Sequence, residues 1–508
     1  MMSTTTTIFE LLAHGADGAI ALTAPDRLPL TYHALREHVH LTVAALNDVG
    51  IGRNDRVAIV LPNGPEMASA FIAVAAGAAA APLNPAYQQN EYAFYMEDLQ
   101  TKALLVEQGS ASPAVAAAQE LGIPVLELIV TPHDSAGSFT ISSSLPPAPP
   151  KAAGPAAADD VALILHTSGT TSRPKIVPLL QRNVCASVSN IRDTLSLTAA
   201  DHCLNVMPLF HIHGLMAALL ASLLAGGSVC CTPGFNALQF FAWLDNEKPT
   251  WYTAVPTMHQ AILSRAARNQ DIIQAAHLRL VRSSSASLPP QVMAELEATF
   301  RAPVIEAYGM TEASHQMTSN PLPPRPRKVG SVGIAIGLDV GIMDKVGNLL
   351  PPHTPGEIVI RGRNVTPGYE NNPQANAENF SNGWFRTGDQ GVQDEEGYLT
   401  ITGRLKEIIN RGGEKISPRE VDEVLMDHPA VQQAVTFAMP HPKLGEDVAA
   451  AVVLRDGAEA SERDIRDFAA ERLAPFKVPR KVLILSEIPK GPTGKLQRIG
   501  LAEKLGLG

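Results

Sequence analysis

The chain has 508 residues, enough for about three domains of ~150 residues each, or for one large domain and a small one. Its 45% hydrophobic and 18% charged content is that of a globular protein with large cores, and a net charge of −10 argues against binding nucleic acid through general basic attraction. Four cysteines without metal-ligand spacing, apolar runs shorter than the ~20 residues of a membrane span, and a first stretch of 26 residues without Lys or Arg predict a cytoplasmic protein with reduced thiols, no membrane span and no secretory leader.

In chain order, residues 56–61 read as a strand and 66–81 as a helix. A buried strand is expected at 161–165, a helix at 215–225 and a strand at 228–231. Further strands at 251–254, 278–281 and 303–306 are separated by helices at 257–268 and 290–300. This alternation implies parallel sheets covered by helices. Residues 145–160, rich in Pro and Ala, read as a surface connector. From 329 to 401, glycines and prolines punctuate short strands, as in a β-barrel-like or antiparallel subdomain. After Arg404 comes an α+β stretch of about 100 residues, the size of one small domain. It has helices predicted at 418–427 and 462–472 and strands at 434–438, 448–454 and 481–485. The expected fold is α/β: a large N-terminal domain over 1–402 built of parallel α/β sheets plus the barrel-like subdomain, and a small α+β C-terminal domain over 403–508.

The strand at 161–165 stops at Thr167-Ser-Gly-Thr-Thr-Ser-Arg-Pro-Lys175. Gly169 allows close approach of a ligand to the backbone. The hydroxyls of Thr167, Ser168, Thr170, Thr171 and Ser172 can donate to phosphate oxygens, and Arg173 and Lys175 supply charge. This is not a Walker sequence, because no Gly-Lys pair follows the glycine at the required spacing and Pro174 precedes Lys175. An ordinary polar surface loop is the competing reading.

Four further clusters carry polar chemistry. In Glu306-Ala-Tyr-Gly-Met-Thr-Glu312, Tyr308 offers a face on which adenine can stack, Thr311 a hydroxyl for phosphate and Glu312 a carboxylate for Mg²⁺. In Gly383-Trp-Phe-Arg-Thr-Gly-Asp389, the aspartate can accept both ribose hydroxyls or simply close a turn. Gly403-Arg-Leu-Lys-Glu-Ile-Ile-Asn-Arg-Gly-Gly-Glu-Lys415 lies where two textures meet, a candidate hinge; Arg404 can reach the ribose, and Gly412 and Gly413 leave room for a thin chain. Pro489-Lys-Gly-Pro-Thr-Gly-Lys495 places a lysine on a glycine-rich loop.

Taken together and in this order, these five segments resemble the signature set of the adenylate-forming superfamily of acyl-CoA synthetases, adenylation domains and luciferases, over essentially the whole chain. The resemblance implies ATP, Mg²⁺ and coenzyme A as cofactor and co-substrates, a small-molecule acid as the other partner, and a C-terminal domain that is mobile between two half-reactions. It implies that Thr167, Ser168, Gly169, Thr170, Thr171 and Lys175 hold phosphates. Glu306, Ala307, Tyr308 and Gly309 contact the nucleotide, Asp389 and Arg404 bind ribose, and Glu312 helps hold the metal. Lys406 matches the hinge, Gly412 and Gly413 face the pantetheine arm, and Lys495, Thr311 and His211 form the implied catalytic set.

The acid-binding residues are read from Pro208-Leu-Phe-His-Ile-His-Gly214, Ser283-Ser-Ser-Ala-Ser-Leu288 and Ala313-Ser-His-Gln316. His211, Ser285 and His315 are polar where a long acyl tail would want apolar walls, which suits a small acid with a second carboxylate. His213, at the start of a predicted helix, reads as structural. Pro208-Leu-Phe-His-Ile-His-Gly-Leu215, Trp251-Tyr-Thr-Ala-Val-Pro-Thr257, Arg282-Ser-Ser-Ser-Ala-Ser-Leu288 and Thr311-Glu-Ala-Ser-His315 through Ser319-Asn-Pro-Leu-Pro323 resemble oxalate–CoA ligases more than fatty-acid or aryl-acid ligases, which implies that His211, Ser285 and His315 hold the oxalate carboxylate that does not react. Malonate–CoA ligation is the nearest alternative, and a luciferase-like oxygenase is an alternative of another class.

Overall fold

The computed structural model describes residues 5–131, 133–167, 174–489 and 496–508. Among them the strands form four sheets. The first has nine strands, in spatial order Ile334–Ala335, His315–Ser319, Val304–Met310, Leu280–Ser283, Trp251–Ala254, His202–Asn205, Ser228–Cys231, Ile20–Thr23 and Leu30–Thr31. Its middle is parallel, as the strand–helix alternation requires, and antiparallel strands close both ends. The second sheet runs Thr140–Ser143, Val125–Ile129, Ala103–Glu107, Arg56–Val60, Ala79–Pro82, Val161–His166 and Ile176–Leu180.

The helix Pro65–Gly77 packs against strands of both sheets, and every residue but Glu66 is buried. A helix apolar on all sides has no face to offer water, so it belongs between layers. The expected helix over 66–81 ends early. Ala78 turns to extended backbone, and Ala79–Pro82 becomes a parallel strand beside Arg56–Val60. A Cβ on Gly77 would stand 2.7 Å from Val43, so the helix's last turn lies flush against its neighbour. An alanine run has no period that separates helix from buried strand. The expected helix at 215–225 begins as a π-helix, Gly214–Leu220, and continues as the α-helix Ala221–Leu224.

Residues 329–401 contribute to an antiparallel five-stranded sheet of Leu338–Met343, Gly356–Gly362, Phe380–Ser381, Trp384–Gln393 and Leu399–Arg404. Beyond it, Ile409–Arg411, Glu414–Ile416, Val431–His441, Gly445–Leu454 and Lys481–Ile484 make the last sheet. The helices Pro418–Met426 and Glu462–Ala470 cover it over a core of its own, which includes Ile409, Val421, Leu425, Val448 and Ile465. Contacts between this unit and the rest include polar ones. Gln260 Nε2 donates to the Gln432 carbonyl at 3.0 Å, and Arg419 Nη1 to the Ile401 carbonyl at 2.8 Å. No helix among the described residues is long and apolar enough to cross a membrane.

Candidate active site

The C-terminal ends of Leu280–Ser283 and Val304–Met310 open into a cleft of ≈ 310 Å³. Such ends are where open parallel sheets place ligands. Ser285, Ala307, Tyr308, Gly309 and Met310 line one wall, Asp389 and Arg404 another. Arg419, Asp422, Leu496 and Arg498 face them from the C-terminal unit.

Asp389 and Arg404 are 15 residues apart in sequence but directly paired across adjacent antiparallel strands. Arg404 Nε lies 3.2 Å from Asp389 Oδ1, and the Tyr308 hydroxyl donates to Asp389 Oδ2. The Asp389 carboxylate raises the pKa of Arg404, while burial, reinforced by Asp389, pushes the Tyr308 hydroxyl up. Two residues from separate sequence clusters, Tyr308 and Arg404, thus converge on the Asp389 carboxylate.

Gly309 and Glu306 have packing roles of their own. A Cβ on Gly309 would stand 1.8 Å from the His315 carbonyl oxygen, so only glycine lets the two strands meet there. Glu306 is 1% exposed, and its carboxylate accepts from the Leu288 amide at 3.0 Å. Burial pushes this carboxyl up to about 7. Ala307 is a cleft residue; Glu306 braces the loop behind it.

Thr311 opens a short 3₁₀ turn, Thr311–Ala313, after the strand. The buried Glu312 follows, with its Oε1 accepting from the Tyr369 hydroxyl at 2.8 Å. Burial raises the Glu312 pKa, while Tyr369 and Lys175 oppose the shift. The Lys175 ammonium stands 4.3 Å from the centre of the Tyr369 ring, and burial lowers its pKa. Strands Val161–His166 and Ile176–Leu180 are antiparallel, and Thr167 N donates to the Lys175 carbonyl at 3.0 Å. This pairing brings the two ends of the hydroxyl loop together. Ser168, Gly169, Thr170 and Thr171 lie outside the described residues, as does Lys495; the next residue in the chain, Leu496, lines the cleft.

At the base of the cleft, Ser285 Oγ is 3.0 Å from His213 Nδ1. The His213 and His315 rings stack with centroids 4.9 Å apart, both fully buried. Ser285 and His315 hold positive φ angles of 73° and 96°, the kind of backbone strain found at functional sites. His211 Nδ1 accepts from the His213 amide at 3.2 Å. The sequence reading set His213 aside as structural, yet it joins Ser285 to His315. Arg282, given no role in that reading, stands behind both rings. Its Nη1 is 3.2 Å from His213 Nε2 and its Nη2 3.2 Å from His315 Nε2. One signal was legible: an arginine inside the apolar run Leu280-Val-Arg-Ser283. Tyr369, also missed, had none.

Gly412 and Gly413 form the hairpin between Ile409–Arg411 and Glu414–Ile416, with φ of 60° and 102°. The structure does not place them in the cleft wall.

Residues 9–370 match the family described as AMP-binding enzyme, and residues 420–495 match the AMP-binding enzyme C-terminal domain. Curated relatives include an oxalate–CoA ligase of Arabidopsis thaliana, 45% identical over 492 residues and covering 94% of each chain. Another is an oxalate–CoA ligase of Saccharomyces cerevisiae, 44% identical over 475 residues, covering 89% of this chain and 87% of that one. Among solved structures, ATP-bound MatB from Rhodopseudomonas palustris is similar with a TM-score of 0.88 at 29% identity, over 98% of this chain and 99% of that one.

Proposed function

The chain belongs to the AMP-binding enzyme family, and from that membership we propose that it converts oxalate, ATP and CoA into oxalyl-CoA, AMP and diphosphate. It is an ATP-dependent, AMP-forming acid–CoA ligase that works through an acyl-adenylate. The observation that carries the choice of acid is the 45% identity to an oxalate–CoA ligase over 94% of the chain. The polar cluster of Ser285, His213 and His315 supports it, since these donors suit a small acid with a second carboxylate.

A carboxylate resists attack by a thiolate because more negative charge would build on it. Its own attack on the α-phosphorus of ATP forms the mixed anhydride and releases diphosphate. CoA thiolate then attacks the activated carbonyl, and AMP leaves with the electron pair of the broken C–O bond. In the first step two anions must approach, so cations have to screen them. Lys175, and Lys495 on its loop, are assigned that task. Tyr308, Asp389 and Arg404 are assigned the nucleoside, with Asp389 accepting the ribose hydroxyls.

Glu312 suits a Mg²⁺ ion that travels with ATP. It is a single buried carboxylate that feels the charge of Lys175, and Mg²⁺ takes one or two protein carboxylates beside phosphate oxygens. When bound, the ion would neutralise charge on the phosphates. Glu312 holds one oxygen fixed through Tyr369, which orients the other.

The C-terminal unit, taken as 403–508, is assigned a rotation between the two steps. Leu496 and Arg498 face the nucleotide cleft, whereas Gly412 and Gly413 do not, so the pantetheine arm would meet them only after a turn. The test is diphosphate release with oxalate, malonate, acetate and octanoate in the presence of CoA. Oxalate should be preferred; preference for octanoate would refute the choice of acid and leave the ligase chemistry standing.

A further inference from the structure

Arg282 is not accounted for by the reaction above. Its side chain is fully buried in the parallel sheet, where a guanidinium without an anion is costly. No carboxylate lies within ion-pair distance of it among the described residues, and its Nε is buried without a partner. Burial pushes it down to about 9. Its terminal nitrogens reach His213 Nε2 at 3.2 Å, Thr253 Oγ1 at 3.4 Å, His315 Nε2 at 3.2 Å and Gln316 Oε1 at 3.1 Å.

A guanidinium only donates hydrogen bonds. Both imidazole Nε2 atoms are therefore acceptors, which leaves each ring proton on Nδ1. Thr253 Oγ1 lies 2.6 Å from His213 Nε2 and adds a second donor to that acceptor. His213 Nδ1–H then donates to Ser285 Oγ at 3.0 Å, and Ser285 lines the cleft. The result is a positive charge behind the cleft with no carboxylate to match it among the described residues, and two imidazoles whose Nδ1–H it orients.

We propose that Arg282 is a positioning and specificity-determining residue, which supplies the counter-charge for the non-reacting anionic group of a small acid and fixes His213 and His315 as Nδ1–H donors. The proposal rests on the reading of the chain as a ligase of such acids. An acid of the same size without the second charge leaves the guanidinium uncompensated, so the site selects against it.

The experiment compares oxalate with glyoxylate, a monoanion of similar size, in diphosphate release by Arg282→Gln and Arg282→Lys. Arg282→Gln should cut kcat/KM for oxalate about 100-fold, mainly through KM, because the counter-charge and the orientation of both imidazoles are lost together. The loss with glyoxylate should stay under about 5-fold and the KM for ATP within about 2-fold. Arg282→Lys keeps the charge without the fork and should recover part of the oxalate loss. Without oxalate, Arg282→Gln should melt no lower than the parent, because it removes an unmatched buried charge; oxalate should raise the parent's melting point only.

Equal loss with both acids, or a lysine variant no better than the glutamine one, would overturn the proposal. Should Arg282→Gln not fold, Arg282→Lys decides alone: an unchanged preference for oxalate over glyoxylate would overturn it. A parent enzyme that prefers malonate refutes the oxalate reading, and the same comparison is then made with malonate and acetate. A parent that prefers octanoate refutes both.

Discussion

Replacing Glu306 by glutamine separates two roles that one side chain could play. Its carboxylate is 1% exposed and accepts from the Leu288 amide at 3.0 Å. Burial raises its pKa from 4.5 to about 7, although the Leu288 amide and Arg419 pull the other way. Between those values the folded chain keeps a proton that the unfolded chain has released. The stability contributed by this group is therefore complete below pH 4.5 and is lost as pH rises towards 7. At ~1.4 kcal/mol per unit, the loss is about 3 kcal/mol. Glu306→Gln keeps an acceptor for the Leu288 amide and never ionises. The variant should match the parent in thermal midpoint at pH 4.5 and exceed it by a few degrees at pH 8, with KM for ATP within about 2-fold. A difference that does not change with pH would refute the burial argument. A tenfold rise in KM for ATP would mean that the carboxylate grips the nucleotide after all.

Asp389→Ala should raise the KM for ATP about 10- to 100-fold, since Tyr308 and Arg404 both lose their acceptor, while the KM for oxalate moves far less; steady-state kinetics with each substrate varied checks this. Tyr369→Phe removes the donor that favours ionised Glu312. Its pKa should rise further, and the acid limb of the rate–pH profile should move to higher pH; an unmoved limb would contradict this. Lys495→Ala should abolish diphosphate exchange yet spare thioester formation from preformed oxalyl-AMP, measured by thiol consumption; equal loss in both half-reactions would remove the lysine from its assigned role.

The α/β class and the order of elements were legible because the strands at 228–231 and 251–254 and the helix at 290–300 carry clear apolar patterns with turn residues at their ends. Residues 78–82 were not, because alanine fits a buried strand and a helix equally well. The convergence of Tyr308 and Arg404 on Asp389 needed the cross-strand register, which motif order does not contain. The acid-side cluster was half legible. Ser285 and His315 stood out as polar residues at positions where a long acyl tail would want apolar walls. His213 and His211 differ by two positions, and only the start of the helical segment decides which ring meets Ser285. Arg282 was hidden because its partners come from three other stretches of chain, around 213, 253 and 315.

The central claim is that an oxalate oxygen attacks the α-phosphorus and leaves with AMP. It is tested by turnover of oxygen-18-labelled oxalate with ATP and CoA, followed by mass spectrometry of the nucleotide. One labelled oxygen in each AMP is the predicted result. Unlabelled AMP, or ADP with the label in inorganic phosphate, would contradict it.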